Sequence, residues 1–293
     1  MADADEKINP EHPSSGLRKQ VGPVLAGGKT LSIVIPAYNE SKRITQTFRE
    51  IKPWLEEHFA RRYEVLVVDD GSRDNTCEII EREIKDWPQL SLLRQPRNLG
   101  KGAAVRRGCL AARNDYVLFM DADHATPIEE LRGFLPKLEQ GFDIVVGVRT
   151  FQESEDRSRR IMGLGLLMLA HMIVFTKAVV DSQCGFKLFK RDICQDVFSR
   201  CRIDGGMIDV EIFHISHRRN HRIWYAPVYW DNKAGSTINV WRCVVFDPFD
   251  LIGIRMRGMR GTYNSMISQQ PWETGSSAQK KSELREPAQQ AQR

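Results

Sequence analysis

The chain has 293 residues, of which 41% are hydrophobic and 28% charged, and its formal net charge is +5. This balance excludes a fibrous or wholly disordered protein and allows one large α/β domain or two small ones. The modest positive charge suits any anionic partner, whether a phosphorylated substrate, an acidic membrane surface or nucleic acid. The six cysteines show no CxxC spacing, which argues against a zinc site. The first thirty residues lack an apolar leader, so we expect reduced thiols and a cytoplasmic location.

In chain order, polar arms enclose one stretch of alternating strands and helices. We predict that residues 1–30 and 264–293 are disordered and that 31–263 form a single domain. The apolar runs at 31–36, 63–69, 90–94, 116–120 and 143–147 are predicted strands. The stretches 41–59, 75–85, 100–112 and 127–139 are predicted helices, the first with a break near Pro53. This alternation predicts a mostly parallel sheet covered by helices on both faces.

Two later segments suggest contact with a membrane. Residues 161–180 are the most apolar part of the chain and just long enough to span a bilayer. The segment carries His171 and Lys177, and a charge at membrane depth costs about 2.5–3.5 kcal/mol. A buried or interfacial helix is therefore favoured over a spanning one. The run 254–260 mixes Arg and Met, which suits either an anionic lipid surface or the solvated end of the last helix.

Polar motifs follow the first two predicted strands, at the sheet edge where ligands bind in α/β proteins. After strand one, Tyr38 offers a ring for stacking a base, and Glu40 can accept from a ribose hydroxyl or a base N–H. After strand two, Asp70 can accept from a base N–H, and Gly71 permits a tight turn. Taken alone, the first motif is more often just a turn, and the second is equally compatible with an ordinary helix cap.

A third motif, Asp121-Ala122-Asp123, ends the fourth predicted strand. Repulsion between two carboxylates is offset when Mg²⁺ or Mn²⁺ lies between them, and these ions keep substrate phosphates in their shell. The alternative is a surface turn. A fourth motif, 100–106, opens a helix whose glycines could expose backbone N–H groups to phosphate. We favour the interpretation that these glycines allow close packing of the helix over the interpretation that they bind phosphate. Lys101 would then lie near the sugar donor.

These motifs occur together in the order and spacing of the family 2 glycosyltransferases, which the chain resembles over 31–149. Later blocks at 147–149, 181–187 and 208–211 resemble the dolichyl-phosphate β-glucosyltransferase branch of that family, close to the dolichyl-phosphate mannosyltransferases. With them the resemblance reaches residue 263. It implies the GT-A fold, a Rossmann-like α/β architecture with a mostly parallel sheet flanked by helices in a single domain.

The resemblance also implies residue roles. Nucleotide-sugar binding would fall to Pro36, Ala37, Tyr38, Glu40, Val68, Asp70, Lys101, Asp121, Ala122 and Asp123. Asp121 and Asp123 would also hold the metal, Mg²⁺ or Mn²⁺. The chain departs from the family at two positions. The mannosyl relatives place a metal-touching Gln where this chain has Ala125, beside His124 and Thr126, and the glucosyl branch commonly has Trp where this chain has Met207.

The predicted function is that of an inverting glycosyltransferase that moves a hexose from a nucleotide sugar to a polyprenyl or dolichyl phosphate. The expected hexose is glucose and the expected donor is UDP-glucose. A phosphate acceptor is already anionic near neutral pH and needs no base, but it needs cations around it. Arg149, Lys187 and Lys233 are the candidate cations. Asp209, with Glu211, would hold sugar hydroxyls or order those cations, and Asp209 would be the base for a hydroxyl acceptor. The alternative for both acids is a purely structural role at the start of a helix, where negative charge is favourable.

We further predict peripheral contact with the cytosolic face of a membrane and no binding of nucleic acid, because the basic residues lack an aromatic stacking platform. Two other enzyme functions stay open: transfer to a saccharide or protein hydroxyl, and mannosyl transfer from GDP-mannose. A more distant alternative is a non-catalytic nucleotide-sugar-binding protein.

Overall fold

The computed structural model describes residues 28–149, 165, 168, 172–175, 179–231 and 240–267, with only the backbone of 240–247. Several sequence predictions fall outside these residues: nearly all of both terminal arms, most of 161–180, and Lys233. No helix among the described residues is both long and apolar enough to cross a bilayer.

Branched aliphatic runs form the strands, and amphipathic segments between them form the helices. The strands are β1 (Leu31–Ala37), β2 (Tyr63–Asp69), β3 (Leu90–Arg94), β4 (Tyr116–Met120), β5 (Ile144–Arg149), β6 (Phe186–Lys190) and β7 (Ile223–Val228). The helices are α1 (Ile44–Phe59), α2 (Thr76–Asp86), α3 (Lys101–Ala111), α4 (Leu131–Glu139), α5 (Arg191–Phe198), α6 (Ile208–Arg218) and α7 (Val240–Met259). Short 3₁₀ turns cover Ile128–Glu130 and Thr262–Asn264.

The seven strands of the described residues join one sheet in the order β3-β2-β1-β4-β6-β5-β7. Neighbouring strands are parallel, except that β6 runs antiparallel to both β4 and β5. This confirms the predicted α/β architecture with a mostly parallel sheet. Strand β6 was not predicted. It sets Phe186 opposite Met120 and Lys187 opposite Phe119, which brings the chain around residue 185 to the end of β4.

Alternating side chains of β1 divide the core into two layers. Leu31, Ile33 and Ile35 face one cluster, which includes the buried residues of α1 and α4. Val34 faces a second cluster, built with α3, α5, α6 and the buried part of α7. Because both faces of the central strands are covered, these strands consist of nearly continuous apolar residues. The residues that follow the carboxyl ends of β1, β2 and β4 include partly exposed ones, and they form an accessible edge of the sheet.

Helix α1 corrects one prediction, because it continues through Pro53 without a break. A proline inside a helix removes one backbone hydrogen bond. Here the buried residues Ile51, Trp54 and Leu55 lie on both sides of it and anchor both halves to the core. Pro127 likewise lies just before the 3₁₀ turn that precedes α4, one residue ahead of the predicted helical position.

Candidate active site

The structure brings the strand-end motifs to one edge of the sheet. Strands β1 and β2 end side by side, with Ala37 paired to Asp69. The Asp70 amide donates to the Ala37 carbonyl over 2.8 Å. Strand β4 ends beside β1 and carries Asp121 just beyond its last residue. Pro36 and Val68 are the strand residues just behind this edge, and Val68 is fully buried.

The Asp70 carboxylate is occupied by the loop that leads into α3. Its oxygens accept hydrogen bonds from the Leu99 amide at 2.7 Å, the Gly100 amide at 2.8 Å and the Gln95 side chain at 2.9 Å. Burial raises the pKa of Asp70, and these three donors oppose the rise. In this structure the Asp70 carboxylate therefore orders residues 95–100. Its predicted contact with a nucleoside stays a prediction.

Glu40 is likewise committed to a local partner. Both of its carboxylate oxygens lie 2.7 Å from the Arg43 guanidinium. Burial raises the pKa of Glu40, with smaller contributions from Asp123 and Asp121, so the acid lies within electrostatic reach of the Asp-x-Asp motif. Tyr38 is half-buried at the same edge. Its predicted role in stacking a base also stays a prediction.

The start of α3 is a packing motif, as the sequence favoured. Gly100 has a φ of +106°, and a Cβ there would overlap the Asp204 carbonyl. A Cβ on Gly102 would lie 2.5 Å from the Ile203 carbonyl. The Ala103 amide donates to the Asp204 carbonyl over 3.2 Å. This close approach to residues 203–205 places Lys101 at the sheet edge.

Two lysines and two aspartates form a charged cluster there, which we call the lysine–aspartate array: Lys101, Asp121, Lys187 and Asp209. Lys101 Nζ lies 2.9 Å from Asp121 Oδ1 and 3.7 Å from Asp209 Oδ2. Lys187 Nζ lies 2.6 Å from Asp209 Oδ1 and donates to the Cys184 carbonyl over 2.6 Å. The ion pairs of the array connect α3, the end of β4, β6 and α6.

The array has a buried half and an accessible half. The side chains of Lys187 and Asp209 are 0% and 1% exposed, whereas those of Lys101 and Asp121 are 35% and 37% exposed. Burial lowers the pKa of Lys101, but the carboxylates of Asp121 and Asp209 outweigh it and hold the ammonium protonated. Burial also raises the pKa of Asp121, and the neighbouring carboxylates of Asp123 and Asp209 add to that rise. Lys187 thus supports Asp209 and does not reach the surface.

Gly185 lets β6 approach Asp121. The Asp121 amide donates to the Gly185 carbonyl over 3.1 Å. A Cβ on Gly185 would overlap Asp121 Oδ2 and lie 2.8 Å from Oδ1. A larger residue at position 185 would therefore displace the carboxylate of the Asp-x-Asp motif.

Helix α1 braces the turn that carries the motif. Thr47 donates its hydroxyl to the Ala122 carbonyl over 2.6 Å. His124, at a φ of +52°, contacts Glu50 through Nδ1, and its Nε2 accepts from the Ile128 amide over 3.0 Å. Both ring nitrogens of His124 are thus engaged, so it is not a free metal ligand. The sequence did not predict the roles of Thr47 and Glu50. Both lie on α1, Thr47 is 75 residues before Ala122, and no local motif links that helix to the Asp-x-Asp turn.

Arg149 is paired and does not project freely. Its guanidinium donates to both carboxylate oxygens of Asp181, at 2.7 and 3.0 Å, and lies 5.4 Å from the centre of the Trp230 ring. Trp230 joins Asp121, Thr126 and Gly185 in the lining of a small pocket beside the motif. Arg149 therefore orders the wall of this pocket, and its predicted contact with an acceptor phosphate stays a prediction.

Glu211 corrects the prediction that it holds sugar hydroxyls or orders the cations. It is fully buried and accepts from the Arg202 and Ile203 amides, both at 2.8 Å. It also accepts from the Tyr263 hydroxyl over 2.7 Å. Its work is to tie α6 to the 202–203 turn and to the residues after α7.

The Asp-x-Asp motif offers the carboxylates of Asp121 and Asp123 to a metal ion. Among the described residues, no group of three His, Cys, Asp or Glu side chains could hold an ion. Asp123 Oδ1 accepts from the Ala125 amide over 3.1 Å, which fixes its direction. Two aspartates fit a hard divalent cation whose remaining ligands are substrate oxygens and water.

Comparison with known proteins decides the family. The sequence pattern described as Glycosyl transferase family 2 matches residues 32–198, more than half of the chain. The chain belongs to glycosyltransferase family 2. The matched region of this glycosyltransferase runs from β1 to α5. It includes the strand-end motifs and three of the four residues of the lysine–aspartate array.

Curated relatives share most of the chain. A dolichyl-phosphate beta-glucosyltransferase of Trichomonas vaginalis is 37% identical over 223 residues, covering 71% of this chain and 66% of its own length. The enzymes of the same name from Saccharomyces cerevisiae and Homo sapiens are 33% and 32% identical. They each cover 80% of this chain, and 76% and 78% of their own lengths. The chain thus spans about two thirds to three quarters of these relatives.

Solved structures confirm the GT-A fold. Glucosyl-3-phosphoglycerate synthase of Mycobacterium tuberculosis in complex with uridine diphosphate has a TM-score of 0.55 at 20% identity, covering 77% of this chain and 81% of its own. The same enzyme with Mn²⁺ and UDP-glucose has a TM-score of 0.56 at 18% identity, covering 77% and 80%. At this identity the likeness extends to the fold alone.

Proposed function

We propose that this glycosyltransferase transfers glucose from UDP-glucose to a dolichyl or polyprenyl phosphate, with inversion, at the cytosolic face of a membrane. The observation that carries the proposal is the engagement of Asp209 by two lysines. Its Oδ1 lies 2.6 Å from Lys187 Nζ, its Oδ2 lies 3.7 Å from Lys101 Nζ, and it is 1% exposed. The names of the relatives supply the sugar and the lipid.

A carboxylate held in this way is poorly suited to act as a general base. A base must come within hydrogen-bond reach of the hydroxyl whose proton it takes. Asp209 is enclosed, and its nearest partners are the ammonium groups of Lys187 and Lys101. A phosphate monoester avoids the requirement, because its second pKa is about 6 and it is already an anionic nucleophile. The array therefore favours a lipid phosphate over a saccharide or protein hydroxyl.

The accessible half of the array provides the charge that the reaction needs. Lys101 is held protonated at the sheet edge by Asp121 and Asp209. It can attract the donor diphosphate or the acceptor phosphate as a point charge. Asp121 and Asp123 would hold a divalent ion, Mg²⁺ or Mn²⁺, which neutralises charge on the departing nucleoside diphosphate when bound. Thr47, Glu50 and Gly185 fix the backbone that carries these carboxylates.

The proposal is tested by incubating the purified chain with labelled UDP-glucose and a short polyprenyl phosphate, with Mn²⁺ or with EDTA. We expect a labelled chloroform-soluble product that requires the ion. Asp123→Asn should abolish it, whereas Asp86→Asn, which changes an exposed aspartate at the end of α2, should not. Absence of product from folded protein would refute lipid-phosphate transfer. GDP-mannose as donor and a saccharide as acceptor serve as parallel arms, and faster turnover in either would replace the proposal.

A further inference from the structure

Helix α7 has an apolar face that no described part of the protein covers. Phe249, Ile252, Met256 and Met259 are 70%, 46%, 40% and 67% exposed. They follow each other at spacings of three, four and three residues, so they lie along one side of the helix. We call these four residues the outer stripe. Large apolar side chains aligned on a surface usually mark a site of contact.

The opposite side of α7 already has its partner. Leu251 and Ile254 are fully buried in the core cluster that includes α6. A Cβ on Gly258 would overlap the His214 ring, so the two helices approach closely there. The outer stripe is therefore not the core-facing side of a displaced helix. The helix is apolar on two sides, and the described residues pack against one of them.

The outer stripe is flanked by positive charge. Arg255 and Arg260 are exposed, and at 100° per residue they fall on either side of the four apolar residues. Between residues 248 and 260 the only acid is Asp250, which is half-buried. An apolar face bordered by arginines fits the headgroup region of an anionic bilayer. A second copy of the chain fits less well, because a symmetric contact would bring the arginines of both copies together.

The position of α7 connects this surface to the site. Asp250 Oδ2 lies 3.8 Å from the place that a Cβ on Gly205 would occupy. Residues 203–205 pack against the start of α3, which carries Lys101. One end of the outer stripe therefore begins beside the loop that supports the lysine–aspartate array.

We infer that the outer stripe docks this protein on an anionic membrane, with its apolar side chains in the headgroup region and the two arginines on lipid phosphates. The inference deepens the proposed function and rests on it for the nature of the acceptor. Docking would hold the array beside the surface from which a lipid phosphate projects. The outer stripe includes none of the residues predicted to bind the donor.

Vesicle sedimentation tests the inference directly. We expect the full chain to bind phosphatidylcholine vesicles containing anionic phosphatidylglycerol and to bind pure phosphatidylcholine vesicles weakly. Replacing Phe249, Met256 and Met259 by Gln should lower the partition coefficient about ten-fold or more, because binding follows the buried apolar area. Arg255→Gln with Arg260→Gln should lower it about 30-fold on anionic vesicles only, since each of the two charges contributes about 1 kcal/mol. All the replaced side chains are exposed, so circular dichroism should show native folding.

Matched controls separate docking from general charge. Arg61→Gln with Arg113→Gln removes the same charge from exposed residues that precede β2 and β4, at the opposite edge of the sheet. This pair should bind vesicles like the wild type. Equal binding by the stripe variant and the wild type would overturn the inference. So would a wild-type dimer, seen by light scattering, that the stripe variant dissociates.

A second readout keeps this inference apart from the proposed function. Turnover with a short, water-soluble polyprenyl phosphate should be the same for the stripe variant and the wild type, whereas turnover of a vesicle-embedded lipid should fall about ten-fold. Vesicle binding without any turnover would refute the proposed function and leave the docking surface intact. Turnover of vesicle lipid that is equal in both proteins would refute the docking surface alone.

Discussion

Removing Lys187 tests how the buried half of the array is stabilised. Lys187→Met keeps the length of the side chain and deletes its charge. Asp209 is 1% exposed and would lose its 2.6 Å partner, leaving only Lys101 at 3.7 Å from the other oxygen. The Cys184 carbonyl would lose a 2.6 Å hydrogen bond as well. The variant therefore leaves a buried carboxylate with one distant counter-charge.

The expected cost follows from this burial. Breaking a buried ion pair by removing one partner costs about 3–5 kcal/mol, and the remaining Lys101 favours the lower end of that range. Domains are stable by only about 5–15 kcal/mol, so the loss is a large fraction of the total. In a domain of this size 1 kcal/mol corresponds to about 2–4 °C, so the melting temperature should fall by about 6–12 °C.

Urea unfolding followed by tryptophan fluorescence measures the effect, with Asp209→Leu and the double variant completing a cycle. The double variant should lose less than the sum of the singles, by about 2 kcal/mol or more, because neither charge is then left alone. A loss below about 1 kcal/mol for Lys187→Met would refute the reasoning. Additive losses in the cycle would refute it equally.

Three further changes have defined outcomes. Gly185→Ala should lower Mn²⁺-dependent sugar transfer about 100-fold, because a Cβ displaces the Asp121 carboxylate and misplacement of this size costs about that much. Glu50→Gln should raise the Mn²⁺ concentration for half-maximal activity about ten-fold, since a neutral amide holds the His124 ring, which orients the motif turn, less strongly than the carboxylate does. His214→Gln should remove part of the acid sensitivity of the fold. Burial lowers the pKa of His214 to about 4, so the unfolded chain takes up the proton first and stability falls as pH drops from about 6.5 to 4. Between these pH values the wild type should lose about 3 kcal/mol more than the variant in urea unfolding.

The first two of these changes have a matched control in the chain. Gly133→Ala, on α4, adds a Cβ into open space and should leave activity unchanged. Glu56→Gln removes an exposed carboxylate from the same helix as Glu50 and should not alter the Mn²⁺ dependence. Three results would each contradict the structure-based argument. They are full activity in Gly185→Ala, an unshifted Mn²⁺ requirement in Glu50→Gln, and equal dependence of stability on pH in the wild type and His214→Gln.

The first half of the fold was predictable because its signals are local. Strands β1 to β5 are runs of Val, Ile, Leu and Phe bounded by polar or glycine-containing turns, and their predicted bounds agree within two residues. Strand β6 was missed because its sequence, Phe-Lys-Leu-Phe-Lys, carries a lysine at a fully buried position. A lysine inside a sheet is stable only with a partner, and that partner, Asp209, lies 22 residues further along the chain.

The site was predictable to a similar extent. The strand-end motifs lie together at one edge of the sheet, as their positions after the strands indicated, and the packing interpretation of the α3 start was confirmed. The connections were not predictable, since no local pattern joins Lys101 to Asp121, Glu50 to His124, or Glu211 to Tyr263. Acids that looked available in the sequence proved to be engaged by backbone amides or lysines.

The antiparallel strand between β4 and β5 has a consequence for biosynthesis. Strand β5 pairs only with β6 and β7 among the described strands, so it leaves the ribosome before either partner exists. Its six apolar-rich residues stay without a sheet neighbour until Lys190 has been made. Unpaired strand edges of this kind are prone to aggregation during folding. A nascent chain stalled between β5 and β6 should therefore depend on chaperones more than one stalled after β6.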